Sequence, residues 1–222
     1  SDPSRGLGDV YKRQELEWVE NAADERTFYR YDGGNQTHVC DARSSGPTDL
    51  TYCTITAYGG PTGDQVLTVT RPGLASESWT YTTGTEIGYG GVGTMPAGLV
   101  RTHTTPLGAV TTYSYADNGD LRQVSNAASG MVETYEYNAA GVVTTHTVNG
   151  AESITTYDEV GNVKTVTGPQ VVNPVAGGAA EQLLTSYVYD MNNRVTQLDA
   201  EQLGTPATRR TTSYEYDELG RE

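Results

Sequence analysis

Tyr214-Glu215-Tyr216-Asp217-Glu218-Leu219-Gly220-Arg221 is the stretch whose reading decides the fold. Tyrosines at i and i+2 of an extended chain point to one face. Aspartate opens a turn because its side chain can hydrogen-bond the backbone two residues on. Glycine three positions later supplies the positive φ of a bulged hairpin turn. Strand, turn and the start of a return strand are therefore written in eight residues.

The phrase recurs along the chain. It reads Tyr29-Arg30-Tyr31-Asp32-Gly33-Gly34, then Tyr113-Ser114-Tyr115-Ala116-Asp117-Asn118-Gly119. It returns as Tyr135-Glu136-Tyr137-Asn138-Ala139-Ala140-Gly141, as Thr156-Tyr157-Asp158-Glu159-Val160-Gly161 and as Tyr187-Val188-Tyr189-Asp190. Alternating return strands follow, such as Asp120-Leu121-Arg122-Gln123-Val124 and Asn162-Val163-Lys164-Thr165-Val166. Self-similarity at this period means stacked β units and predicts an all-β chain of successive antiparallel hairpins. A structural role is the default for such a chain.

Between positions 33 and 113 the signal is worn. Ala57-Tyr58-Gly59-Gly60 and Trp79-Thr80-Tyr81-Thr82-Thr83-Gly84 stand where the period places further copies. Connections repeat too: Val19-Glu20-Asn21-Ala22-Ala23 and Val124-Ser125-Asn126-Ala127-Ala128 precede Tyr pairs in near-matching register. The long interval before Tyr189 holds Gly168-Pro169 through Gly177-Gly178, which predicts an inserted loop on one side of the sheet.

Composition bounds the function. Sixteen tyrosines stand against one phenylalanine. Tyrosine buries a ring while keeping its hydroxyl at a polar partner, which suits a thin β wall with wet faces. A formal charge of −14 opposes binding to nucleic-acid phosphate. No run approaches the roughly 20 apolar residues of a membrane helix. The acids sit mostly at turns and exposed strand positions, where solvation and edge protection explain them. Gly90-Gly91-Val92-Gly93-Thr94-Met95 is close to a calcium-binding glycine repeat but has Met95 in place of the aspartate. No metal site and no cofactor are expected.

Cys40 and Cys53 are 13 positions apart. They are either a disulfide closing a short loop or two buried free thiols. The thiols are the expectation, since sequence cannot show that the two Cα atoms approach. His38, His103 and His146 lie in different repeats and read as strand-face residues. No G-x-S-x-G, H-E-x-x-H or Walker loop is present, so no catalytic residue is expected.

The repeated phrase resembles the YD-repeat family, also called the RHS-repeat family, whose consensus is approximately Y-x-Y-D-x-x-G-R-L. Tyr214 to Arg221 matches it residue for residue. The signature positions are Tyr29, Tyr31, Asp32, Tyr113, Tyr115, Gly119, Tyr135, Tyr137, Gly141, Tyr157, Asp158, Gly161, Tyr187, Tyr189, Asp190, Tyr214, Tyr216, Asp217 and Gly220. Departures are Asn193 for glycine, Asn138 for aspartate, Thr155 for the first tyrosine, and an aspartate shifted to Asp117. The resemblance implies a curved or spiralling sheet that forms a hollow shell. In bacterial members that shell encloses a toxic C-terminal domain; in animal teneurins a related shell supports adhesion.

Residues 1–14 look like translated sequencing adapter, leaving 15–222 as the repeat region. The stop inside a repeat at Glu222 predicts an interior piece of a longer, secreted or cell-surface protein. The implied partners are the remaining repeats and an enclosed C-terminal domain. The alternative is an extracellular binding module that recognises carbohydrate or a cell-surface protein through exposed tyrosines and loops.

Overall fold

The computed structural model describes residues 16–46, 48–173, 178–203 and 208–221. The leader at 1–14 lies outside the described residues. The fold is all-β: among the described residues sixteen strands follow one another in chain order through the sheet. Strand runs such as Val143-Thr144-Thr145-His146-Thr147-Val148 are β-branched and aromatic, the residue types that fit a pleated, half-buried surface. Among the described residues the only helical element is a 3-10 turn at Tyr89–Gly91.

The chain divides into two compact units. The first holds β1 (Trp18–Glu20), β2 (Arg26–Asp32), β3 (Asn35–Cys40), β4 (Cys53–Gly59), β5 (Gln65–Thr70), β6 (Glu77–Tyr81) and β7 (Val100–Thr104). It also takes the opening residues of β8 (Val110–Tyr115). The second unit holds Ile87–Gly93 and the chain from Tyr113. Its strands are the rest of β8, then β9 (Leu121–Asn126), β10 (Met131–Tyr137), β11 (Val143–Val148) and β12 (Ala151–Tyr157). They continue as β13 (Val163–Asn173), β14 (Ala179–Tyr189), β15 (Val195–Gln202) and β16 (Thr208–Ser213).

Five described side chains are buried, and all belong to the first unit: Cys40, Ser44, Cys53, Thr82 and Met95. In the second unit the one buried described residue is Gly88. Most strand side chains in both units are half-exposed, so neither unit has a conventional apolar core. Met95, the residue that spoils the calcium repeat, is one of the few enclosed apolar groups.

Two expectations are corrected. Cys40 and Cys53 are not free thiols: they form a disulfide with a Cα separation of 3.9 Å. The antiparallel register sets them directly opposite each other on β3 and β4, which brings the sulfurs into range. The insertion beginning at Gly168 is not a loop over most of its length. β13 and β14 run on through it, pairing Gln170 with Gln182 and Val171 with Glu181. A register shift between Thr167 and Gln170 takes up Gly168 and Pro169, because proline cannot donate to a ladder and fits at a bulge. The described residues of the insertion lengthen a hairpin, and 174–177 lie outside the described residues.

Candidate functional site: the tyrosine ladder and its turns

Four signature phrases close their turns on the same side-chain oxygen. Asp158 Oδ1 accepts from the amides of Val160 at 3.0 Å and Asn162 at 2.8 Å. Asp190 Oδ1 takes the amides of Asn192 and Arg194, and Asp217 Oδ1 those of Leu219 and Arg221. Asn138 does the same with its amide oxygen, accepting from Ala140 at 2.9 Å and Val142 at 3.1 Å. The cap needs an oxygen at that distance and not a charge.

Three positions after the capping residue the backbone is left-handed. Gly141, Gly161 and Gly220 occupy that place with φ of 75°, 95° and 78°. Asn193 holds it with φ 59°, as a residue type that tolerates αL. Asn21 builds the same turn in the Val19–Asp24 connection, with Asp24 at φ 58°. Asn126, in the matching sequence, instead accepts from Ala128 and Ser129, so the two V-x-N-A-A copies make different turns.

The first two signature phrases depart from this pattern. Asp32 ends β2 opposite Asn35, across a two-residue turn of Gly33 and Gly34, both at positive φ. Ala116 stands at the capping position, and the displaced Asp117 lies against Gly93. A Cβ on Gly93 would come within 2.6 Å of the Asp117 Cβ. A Cβ on Gly88 would come within 2.4 Å of the Val92 carbonyl oxygen, so this packing admits only glycine at both positions.

The carboxylates follow from these contacts. Hydrogen bonds from the Arg194 backbone and side chain hold Asp190 below the usual carboxylate range, and Arg221 does so for Asp217. Asp158 is also lowered on balance: partial desolvation opposes ionisation, and the donors of Asn162, Val160 and Gly161 outweigh it.

In six copies, worn ones included, the second tyrosine links neighbouring hairpins. Tyr137 donates its hydroxyl proton to the Leu121 carbonyl at 2.8 Å. Tyr157, Tyr189 and Tyr216 donate to Val143, Val163 and Val195, each at 2.7 Å. In the first unit Tyr58 donates to Gln36 at 3.0 Å and Tyr81 to Val66 at 2.7 Å, so both worn copies take part. Tyr31 accepts from Gln36 Nε2 at 3.3 Å.

The acceptors are the first or second residue of the strand that leads away from the previous turn. Backbone pairing between β9 and β10 stops at Thr134 and Gln123, short of that carbonyl. The tyrosine reaches past the last pair and satisfies an oxygen that the ladder leaves open. A register shift precedes the second tyrosine in six hairpins, at Arg30/Tyr31, Ala57/Tyr58, Thr80/Tyr81, Glu136/Tyr137, Thr156/Tyr157 and Val188/Tyr189. Such bulges re-aim a side chain. Burial raises the hydroxyl pKa of Tyr81, Tyr137 and Tyr189 above the ordinary value.

First tyrosines have other partners. Tyr135 stacks on His146 at 4.7 Å with an interplanar angle of 7°, and its hydroxyl donates to Glu133 at 2.6 Å. Burial, then the Glu133 carboxylate, push its pKa up to about 12. Tyr29 lies opposite Val39, and Tyr187 opposite Leu198. The Tyr214 amide donates to the Thr196 carbonyl. Tyr113 and Tyr115 are half-exposed on β8, and burial raises the Tyr115 hydroxyl pKa.

Several contacts were not legible as motifs. Trp79 stacks on His103 at 4.9 Å, with Glu77 Oε2 3.7 Å from the imidazole, repeating the Glu133, Tyr135 and His146 arrangement. A Glu-x-aromatic strand with histidine at the cross-strand position was the available signal. Arg194 lies over the Tyr216 ring at 4.5 Å. Among the described residues no group of three or more His, Cys, Asp or Glu side chains is placed to hold a metal ion. No described helix is long and apolar enough to cross a membrane.

No protein-family model matches the sequence, and no curated protein matches it. Solved structures do share the fold. TcdB2-TccC3-Cdc42 is similar with a TM-score of 0.60 and 17% identity, over 87% of this chain and 10% of that one. TcdB2-TccC3 without its hypervariable C-terminal region gives a TM-score of 0.61 at 17% identity, over 89% and 10%. The Photorhabdus luminescens Tc holotoxin pore with the TccC3 D651A mutation gives 0.58 at 17% identity, over 85% and 9%. The chain thus spans about a tenth of the chains it resembles.

Proposed function

We propose that this chain is a non-catalytic wall segment of a YD/RHS-repeat β shell, one that encloses a toxin or other C-terminal cargo domain. The observation that carries the proposal is the ladder of second tyrosines. Their hydroxyls are spent on carbonyls of the neighbouring hairpin, which is what a wall needs and what an exposed aromatic binding strip would forgo. The fold likeness to TcdB2-TccC3 chains supports it, as does the match of residues 214–221 to the family phrase. The partners are then further repeats and the enclosed domain, and the setting is secreted or cell-surface. A disulfide at Cys40 and Cys53 accords with an oxidising compartment.

The test uses the protein encoded by the whole reading frame. Its C-terminal domain is exposed to protease inside the full chain and as a separate domain. Encapsulation predicts that the domain survives in the full chain under conditions that degrade it alone. Equal digestion, or a reading frame with no domain beyond the repeats, removes the cargo role.

A further inference from the structure

We propose that the cleft beside Asp158, Asn162 and Tyr189 binds an alkylguanidinium group, the chemistry of an arginine side chain. Two consecutive repeats make the case. In the later one Asp190 Oδ2 accepts from Arg194 Nε at 2.7 Å, and the guanidinium lies 4.5 Å over the Tyr216 ring. That ring is pinned by its hydroxyl to the carbonyl of the next residue, Val195. The earlier repeat has every part of this seat except the arginine. Asp158 caps its turn in the same way, and Tyr189 is pinned to Val163 at 2.7 Å. At the arginine's position stands Asn162, whose Nδ2 donates to Asp158 Oδ2 at 3.1 Å but which is too short to cover the ring.

The neighbouring turn has changed to match. Arg194 Nη1 lies 3.6 Å from where a Cβ on Gly220 would be, an ordinary contact distance, so a side chain longer than a methyl would crowd the guanidinium. The corresponding residue for Asn162 is Asn193, whose Oδ1 accepts from Asn162 Nδ2 at 3.1 Å. What remains is a cleft of about 420 Å3 lined by Asp158, Asn162, Tyr187, Tyr189 and Asn193. Asp190 on its wall is already paired with Arg194, and Asp158 and Glu159 share the wall with one ammonium, that of the exposed Lys164. A flat, weakly hydrated guanidinium both pairs with a carboxylate and stacks on a ring, which an ammonium does less well.

The test is a titration of the full chain with ethylguanidinium, ethylammonium and an acetylated, amidated Gly-Arg-Gly peptide, read at the backbone amides of Val160 and Tyr189, which line the cleft, by NMR. Saturable shifts are expected, with ethylguanidinium binding about fivefold more tightly than ethylammonium, the size of a partly exposed cation–π contact. Asp158→Asn keeps the turn, as Asn138 shows, and should weaken binding by removing the charge. Asn162→Arg with Asn193→Gly fills the seat from within and should abolish it. The peptide binding more tightly than ethylguanidinium assigns the site to a polypeptide arginine; equal affinity assigns it to free guanidinium compounds. Shifts that do not saturate, that ethylammonium reproduces, or that survive in both variants overturn the proposal.

Discussion

The two units of this protein are built from one hairpin and held together differently. The first encloses five described side chains and carries the disulfide, and its hairpin rhythm breaks after Thr82. Thr82 is fully buried there. Its amide donates to the Leu99 carbonyl, its carbonyl accepts from Gly98, and its hydroxyl accepts from the Leu99 amide. The second unit buries no described side chain, yet its phrases are the more regular. Its cohesion is distributed over repeated turn caps and tyrosine hydroxyls, each making one small, local contribution. Repeats need no enclosed core where every hairpin satisfies the open groups of its neighbour. Where the phrase is worn, a covalent link and a few enclosed residues take over.

That contrast is open to measurement. Cys40→Ala with Cys53→Ala should destabilise the first unit by about 3 kcal/mol, the typical value for a loop of this length. Hydrogen exchange should quicken in β3 and β4 and stay unchanged in β11 to β14. Uniform loss of protection would show that the disulfide supports both units.

In the second unit Tyr157→Ala should cost about 2–4 kcal/mol in urea titrations, as loss of a large packed side chain does. Tyr157→Phe should cost about 1 kcal/mol, since only the hydrogen bond to Val143 is removed. A neutral Phe variant would mean that ring packing alone joins the hairpins.

Acid should act on both units through their turns. Asp49 is held down to about 2, against an ordinary 3.8, by hydrogen bonds from Ser45 and Thr51. Asp158, Asp190 and Asp217 are lowered in the same direction. A folded-state value below the unfolded one gives stability that is complete above the unfolded value and lost as pH falls through the folded one. Circular dichroism should therefore report loss of stability as pH drops from 3.8 toward about 2. Asp158→Asn should reduce this acid sensitivity while leaving neutral stability nearly unchanged. The turn at Asn138, which has no carboxylate to titrate, is the internal precedent.

The smallest effect concerns the paired turns. Asn162→Arg alone should gain little, because the Asn193 side chain occupies the approach. Together with Asn193→Gly it should show a favourable coupling of about 0.5–1 kcal/mol in a double-mutant cycle. Strict additivity would mean that the two positions do not sense each other.

Alternation, turn chemistry and period determined by themselves that this chain is all-β, built of hairpins, with Asp158, Asp190 and Asp217 at its turns. These signals are local: a φ preference or an i to i+2 hydrogen bond needs no distant partner. The two worn copies were also legible, since Tyr58 and Tyr81 keep their place in the period. Only the tertiary structure decided what the second tyrosines bond to, because their acceptors are backbone carbonyls, which every residue has. It decided the pairing of Cys40 with Cys53, which depends on β3 and β4 lying in one register. It turned the segment from Gly168 into a longer hairpin, since cross-strand partners outweighed the glycine and proline signals. Asn193 read as a lapse from the consensus and proved to be half of a pair with Asn162, 31 positions earlier in the chain. A residue's partner across a sheet is set by register, and register is a property of the assembled strands.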